Sequence, residues 1–213
     1  MVPGIIEITL RSIYVSGTAT LLSAVWSVPL GLTIGVKDFR GRRFVKGFFN
    51  AFLGMPTVVL GLVLFLLIRH AGPLGFLNLL FTPLAIIVGQ AILITPIMVS
   101  FTTSAVESVD PAIRDLARTL GATETQASLA VLKEASSGAV LAFIASFNRA
   151  IAEMGVAYMV GGSIPGFTMV LTTAIALQRD MANIELGLAL AAILLSIVFA
   201  INLALNLVQK RRP

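Results

Sequence analysis

The sequence predicts an all-α polytopic membrane protein of five transmembrane helices, with its N-terminus outside and its C-terminus in the cytoplasm. Three observations carry that expectation. The 213 residues are 57% hydrophobic and only 12% charged, with mean hydropathy +0.98; a soluble domain carries about twice that charged fraction. The apolar residues are gathered into long runs, as a bilayer requires. The Lys and Arg residues collect in alternate connecting segments, which is the pattern that orients membrane proteins. The formal net charge of +5 is therefore a matter of topology, and no nucleic-acid partner is expected. Cysteine is absent, which excludes disulfides, thiolate chemistry and Cys-based metal sites. A single histidine, His70, cannot make a His cluster. The sequence points to no metal site and no catalytic residue.

The N-terminal stretch MVPGIIEITLRS places Glu7 before Arg11. It lacks the charged, apolar, small-residue order of a cleaved signal, so the first apolar run is read as mature protein. That run is Tyr14 to Val36, extending as one helix from near Ile5. At 1.5 Å per residue it would be about 48 Å long, more than the hydrocarbon needs, so the turns bearing Glu7 and Arg11 should reach water or the interface. The second run is Phe48 to Ile68, the third Leu84 to Val106, the fourth Ala139 to Val160 and the fifth Leu186 to Val208. Pro29, Pro56 and Pro96 fall within three of these runs and should kink them, since each removes a backbone hydrogen bond. Gly31 and Gly35 are spaced as GxxxG, which permits close helix contact.

Lys37, Arg40, Arg42, Arg43 and Lys46 follow the first run. Arg114, Arg118 and Lys133 follow the third, and Lys210, Arg211 and Arg212 follow the fifth. Five spans put all three groups on one side, the cytoplasm, leaving Arg11, Arg69 and Arg179 opposite. The segment 161–185 holds a short apolar stretch, Phe167 to Leu177. It is too short to cross and reads as a re-entrant or interfacial helix. The whole chain, 1–213, is one transmembrane domain.

The polar segment 108–137 has its own internal order. Asp110-Pro111 opens a helix, with an Asp N-cap before a Pro whose missing N–H costs nothing at the first position. Ile113, Leu116, Ala117 and Leu120 recur at helical spacing as an apolar stripe, with Arg114, Asp115 and Arg118 elsewhere. Gly121 can adopt positive φ and stop that helix. Thr123 and Gln126 fit a capping box for the next one. A solvated connector would have no use for an exposed apolar stripe, whereas a groove in a partner would accept one.

This segment resembles the coupling loop of ABC importer permeases, with its Glu-Ala-Ala, three residues, Gly, nine residues, Ile, one residue, Leu-Pro. Asp115 stands for the Glu, Leu116 and Ala117 for the two Ala, Gly121 for the Gly and Val131 for the Ile, while Lys133-Glu134 departs from Leu-Pro. The stretch Phe147 to Thr168 is similar to the permeases of oxyanion importers. Arg149, Ala150, Glu153, Gly155, Gly161, Gly162, Ile164, Gly166 and Thr168 match that pattern. Thr172 to Leu177, Val15 to Leu22 and Gly72 to Pro83 look most like the tungstate branch, with molybdate and sulfate permeases next.

The resemblance implies the type I ABC importer permease fold and a multi-pass location in the plasma membrane. It implies that Asp110, Ile113, Arg114, Asp115, Leu116, Ala117, Arg118 and Gly121 couple the chain to a cytoplasmic ATP-binding cassette subunit. Two copies of that subunit, a second copy of this permease and an external oxyanion-binding protein would complete the transporter. No GxxxxGK[ST] loop occurs in the sequence, so the chain itself cradles no ATP phosphates. It binds no cofactor, and ATP and Mg belong to the partner ATPase.

Arg149 and Glu153 sit four apart within the fourth run, a spacing that lets them pair. They form either a neutral lock on helix packing or one wall of the pathway, with Arg149 offering positive potential and Glu153 holding it. The hydroxyls of Ser146, Thr172 and Thr173 either donate to the anion or bond backbone and neighbouring helices. The runners-up in function are a molybdate or sulfate importer and, more distantly, a self-sufficient secondary carrier or channel. The last would be expected to show inverted halves or a chain of intramembrane acids.

Overall fold

The computed structural model describes residues 4–209 and is all-helical across them. Ten α-helices follow one another: α1 (Ile5–Val36), α2 (Arg42–Ala51), α3 (Thr57–Ile68), α4 (Pro83–Glu107), α5 (Pro111–Thr119), α6 (Glu124–Glu134), α7 (Ser136–Ile151), α8 (Gly155–Gly161), α9 (Leu171–Asp180) and α10 (Ile184–Gln209). Among the described residues three helices are long and apolar enough to cross a membrane. The count reaches five if each of two bent pairs, α2 with α3 and α6 with α7, is one span. Lys210, Arg211 and Arg212 lie outside the described residues.

The three prolines behave differently. Pro29 and Pro96 lie inside α1 and α4, and both helices continue through them. At Pro56 the helix stops. The expected second span is a helix to Ala51, a 3-10 turn at Phe52–Gly54, and a new helix from Thr57. Pro56 is extended, at φ −65° and ψ 116°, and a proline pushes its preceding residue away from helical geometry as well. The expected fourth span also breaks, at residues 152–154 between α7 and α8. There the Glu153 N–H bonds the Ala150 carbonyl at 3.1 Å, a tightened final turn that ends α7.

The chain divides into two compact units. One gathers Met1–Leu22, Met55–Ile94 and Phe147–Pro213; the other gathers Ser23–Gly54 and Thr95–Ser146. In the first unit a core of Ile8, Met169, Leu171, Ala174 and Leu190 packs α1, α9 and α10. Glycines allow α8 to approach its neighbours closely. A Cβ on Gly155 would lie 2.6 Å from Thr57 Oγ1, and one on Gly161 would lie 2.6 Å from Ile86 Cδ1. In the second unit the GxxxG spacing is used as expected. A Cβ on Gly31 would come 2.7 Å from Thr102 Cβ, and one on Gly35 would come 2.6 Å from Val106 Cγ1. The α1 and α4 backbones thus meet without side chains between them, and Thr103 Oγ1 donates to the Gly31 carbonyl at 3.2 Å. Val106, Val131 and Ala135 form the adjoining core.

Candidate functional site

Two places hold the residues singled out by sequence, one in each unit. The first is the α5–α6 elbow. Asp110 caps α5 through a bond from the Ala112 N–H to its carboxylate at 2.9 Å, with Pro111 in the first turn. After Thr119 the chain turns at Gly121, which has φ +86°. The Gly121 N–H bonds the Arg118 carbonyl and the Ala122 N–H the Ala117 carbonyl, both at 3.0 Å. That pair is the Schellman arrangement, which satisfies the carbonyls a helix end leaves free. Thr123 and Gln126 then form the capping box that opens α6.

The apolar stripe is wider than one face. Ile113 and Ala117 are half-buried, whereas Leu116 is 61% exposed and Leu120 80% exposed. Asp115 and Arg118 are also exposed. Arg114 turns inward: its guanidinium pairs with Glu124 on α6 and donates to the Val36 carbonyl at the end of α1, 3.3 Å away. That guanidinium holds the Glu124 carboxyl below its ordinary range, first through the hydrogen bond and then through the field of Arg114 and Arg118. Val131, in the motif's Ile position, is buried in the core under the elbow, which explains why an aliphatic residue is wanted there. Lys133 and Glu134 are exposed.

The second place centres on Glu153. Arg149 Nη1 meets Glu153 Oε2 at 2.6 Å, so the two do pair, although Glu153 lies past the end of α7. Glu153 is only 2% exposed, while the Arg149 side chain is 34% exposed. The other carboxylate oxygen accepts the Val156 N–H at 3.0 Å and so satisfies the start of α8. Thr172 Oγ1 donates to the Glu153 carbonyl at 2.8 Å. Thr173 Oγ1 bonds within its own turn, to Val170. Both threonine hydroxyls therefore serve the backbone. Ser146 falls in the other unit; its Oγ is buried and has no hydrogen-bond partner among the described residues.

Sequence reasoning missed three things here. Arg11 does not simply reach solvent: it donates to the carbonyls of Gly166 at 2.8 Å and Met169 at 3.3 Å. The glycine-rich loop is stapled by Thr168, whose hydroxyl donates to the Gly161 carbonyl at 2.5 Å and accepts the Ile164 N–H at 2.9 Å. Gly162 and Gly166 hold positive φ, +70° and +76°, so the loop's Gly-Gly-x-Ile-x-Gly-x-Thr spacing is a backbone requirement. Glu107 is the third: it binds both Arg42 and Lys46, at 2.8 and 2.7 Å. Basic residues just past the end of α1 were the available signal, since such side chains often bond the last carbonyls of a helix. Among the described residues no group of three or more His, Asp or Glu side chains is placed to hold a metal.

Comparison with known proteins places this geometry. A permease described as a probable anion ABC transporter protein of Haloferax volcanii is 44% identical over 203 residues, 93% of this chain and 88% of its own length. The tungstate uptake system permease protein TupB of Peptoclostridium acidaminophilum is 36% identical over 208 residues, 98% of this chain and 91% of its own. Among solved structures, a chain of the inward-facing MetNI methionine ABC transporter superposes with a TM-score of 0.77 at 17% identity, covering 96% of this chain and 94% of that one. The fold is that of a type I ABC importer permease. The binding-protein-dependent transport system inner membrane component family matches residues 27–212, and the chain belongs to that family.

Proposed function

We propose that this chain is the transmembrane permease subunit of an ATP-driven oxyanion importer whose cargo is tungstate. The observation that carries the coupling half of this reading is the elbow at Gly121. It is built from local caps, and it presents Leu116 and Leu120 to solvent on the face of α5 turned away from Ile113 and Arg114. A groove in a separate ATPase would bury them. The tungstate assignment is supported by the 36% match to TupB over nearly the full chain and by the tungstate-like stretches of the sequence.

Five passes, with the N-terminus outside, put the elbow on the cytoplasmic side with the basic residues. Two copies of the permease enclose a pathway that five helices alone would not. ATP binding closes the ATPase pair, moves the two elbows and swings the helix bundles between outward and inward access. Arg149, with a third of its side chain exposed, offers positive potential to a passing dianion. Glu153, buried and already bonded twice, holds Arg149 in place and is not itself a ligand. Tungstate, molybdate and sulfate are similar tetrahedral dianions, so the permease relies on its binding protein to choose among them.

The test is competition at that binding protein together with uptake through the reconstituted complex. Tungstate should displace molybdate and sulfate and should enter only with ATP and the ATPase present. Preference for molybdate or sulfate would move the cargo to the neighbouring branch. Uptake by the purified permease alone would make it a self-sufficient carrier.

A further inference from the structure

The end of α1 has an unusual way of satisfying its backbone. A helix leaves its last carbonyls without N–H partners. Lys37 N–H takes the Thr33 carbonyl at 3.0 Å, which leaves Ile34, Gly35 and Val36. The last turn of α1 has no basic residue of its own. Each of the three carbonyls nevertheless accepts a guanidinium N–H. Arg42 Nε donates to Ile34 at 2.7 Å and Arg42 Nη2 to Gly35 at 3.0 Å. Arg114 Nη1 donates to Val36 at 3.3 Å.

The two arginines come from different parts of the chain. Arg42 opens α2, only six residues past the end of α1, and is held by Asp38 at 2.5 Å and Glu107 at 2.8 Å. Arg114 belongs to α5, the first helix of the elbow, 78 residues away. Its other arm is held by Glu124 on α6. Its side chain is mostly covered, in contrast to Leu116 and Leu120 on the same helix. An open cleft of about 430 Å³ runs alongside, lined by Val36, Arg42, Glu107, Asp110 and Arg114 among others, while α6 packs on the end of α1 through Val131, against Leu32 and Val36. From α5, the Arg114 guanidinium reaches the α1 terminus directly. A cation there is favoured twice, by the hydrogen bond and by the negative end of the helix dipole.

We propose that Arg114 is a positioning residue that ties the elbow to the end of α1, so that movement of the elbow draws α1 with it. Its fork joins three helices at one point: α5 through its own backbone, α6 through Glu124 and α1 through the Val36 carbonyl. The close α1–α4 seam at Gly31 and Gly35 then passes the displacement from the end of α1 to the C-terminal half of α4, within the same unit. This deepens the proposed coupling role and rests on it, but it assigns Arg114 an inward task within this chain instead of a contact with the ATPase.

The test compares Arg114→Ala and Arg114→Lys with the natural chain in the complex reconstituted with its ATPase and binding protein. The readout is ATP hydrolysed per tungstate taken up. A tie predicts that this ratio rises about tenfold in Arg114→Ala while the ATPase still co-purifies. Lysine keeps the charge but has no fork to reach both Val36 and Glu124, so Arg114→Lys should rise nearly as far. It also serves should the alanine variant fail to accumulate. A ratio within twofold of the natural chain in Arg114→Lys, or loss of the ATPase from either purified variant, overturns the proposal.

A second readout stands apart from transport. The chain has no cysteine, so Lys37→Cys and Thr119→Cys place one spin label at the end of α1 and one on the elbow. With labelled chains diluted in unlabelled ones, the natural residue at 114 should give a single narrow distance and Arg114→Ala a broad one. A narrow distance in both overturns the tie. If the natural complex moves no anion yet the label distances behave as expected, the transport reading fails and the tie stands.

Discussion

The elbow at Gly121 and the knot at Glu153 satisfy their backbones in opposite ways. The elbow uses neighbours: Asp110 caps two residues on, Gly121 turns the chain with positive φ, and Thr123 trades bonds with Gln126 three residues away. It leaves its large apolar side chains, Leu116 and Leu120, in the open. The knot adds distant partners to the local bonds of Glu153 with Arg149 and Val156. Glu153 takes the Thr172 hydroxyl from nineteen residues further on, and Gly155 beside it meets Thr57 from α3. A segment built from local bonds with its apolar face unspent is suited to meet another protein. A buried charge with every oxygen engaged is suited to hold one conformation.

The strongest way to break that contrast is at Glu153. Alanine there removes the partner of Arg149 and the acceptor of the Val156 N–H together. We expect a loss of about 3 kcal/mol, seen as a lower melting temperature of the detergent-solubilised chain. An unchanged melting temperature would show that the pair is not needed for the fold. Next in size is the elbow surface. Leu116→Ser combined with Leu120→Ser should leave the chain's own stability within about 0.5 kcal/mol, since both residues are exposed. It should weaken association with the ATPase by about 2 kcal/mol, because buried leucines at an interface are worth that much. A titration of ATPase against purified permease measures it.

The legibility of the two places differs for the same reason. Asp110-Pro111, Gly121 and the Thr123–Gln126 pair could be placed because each cap depends on residues within one turn. The long helices α1, α4 and α10 followed from runs of apolar residues. A kink was expected at Pro56, and the chain bends by 99° there; the break at Glu153 was not placed. Pro29 and Pro96 lie within unbroken helices, so a proline alone does not say where a helix ends. The pairing of Arg149 with Glu153 was visible in their spacing, but the end of α7 between them was not, because it depends on what α8, α3 and α9 offer. The partner of the Val36 carbonyl was beyond reach for the same cause, as Arg114 approaches from 78 positions away, whereas Arg42 lies close in sequence to the carbonyls of Ile34 and Gly35.

Smaller effects sharpen the comparison. Gly121→Val forces a β-branched residue to φ +86°, at a cost of about 1–2 kcal/mol to the elbow. Hydrolysis without matching uptake should follow, and normal coupling would argue against the elbow as the moving part. Thr172→Val removes one hydroxyl bond to the Glu153 carbonyl and should cost about 1 kcal/mol of stability, with uptake retained if that hydroxyl serves the backbone alone.

The smallest effect concerns acidity. Glu124 in the elbow has its carboxyl held down by Arg114. The stabilising effect of a depressed carboxyl is complete above the ordinary carboxylate range and is lost as pH falls through the depressed value. Label distances across the elbow should thus hold at neutral pH and widen as pH falls through that lowered value. In Glu124→Gln that acid step should vanish.

The central claim is that force enters at the elbow from a separate ATPase to move an oxyanion. Reconstituted permease should carry tungstate into liposomes with ATPase, binding protein and ATP all present, and uptake should stop when the ATPase is withheld. Tungstate entry through the permease alone, at an undiminished rate, would contradict it.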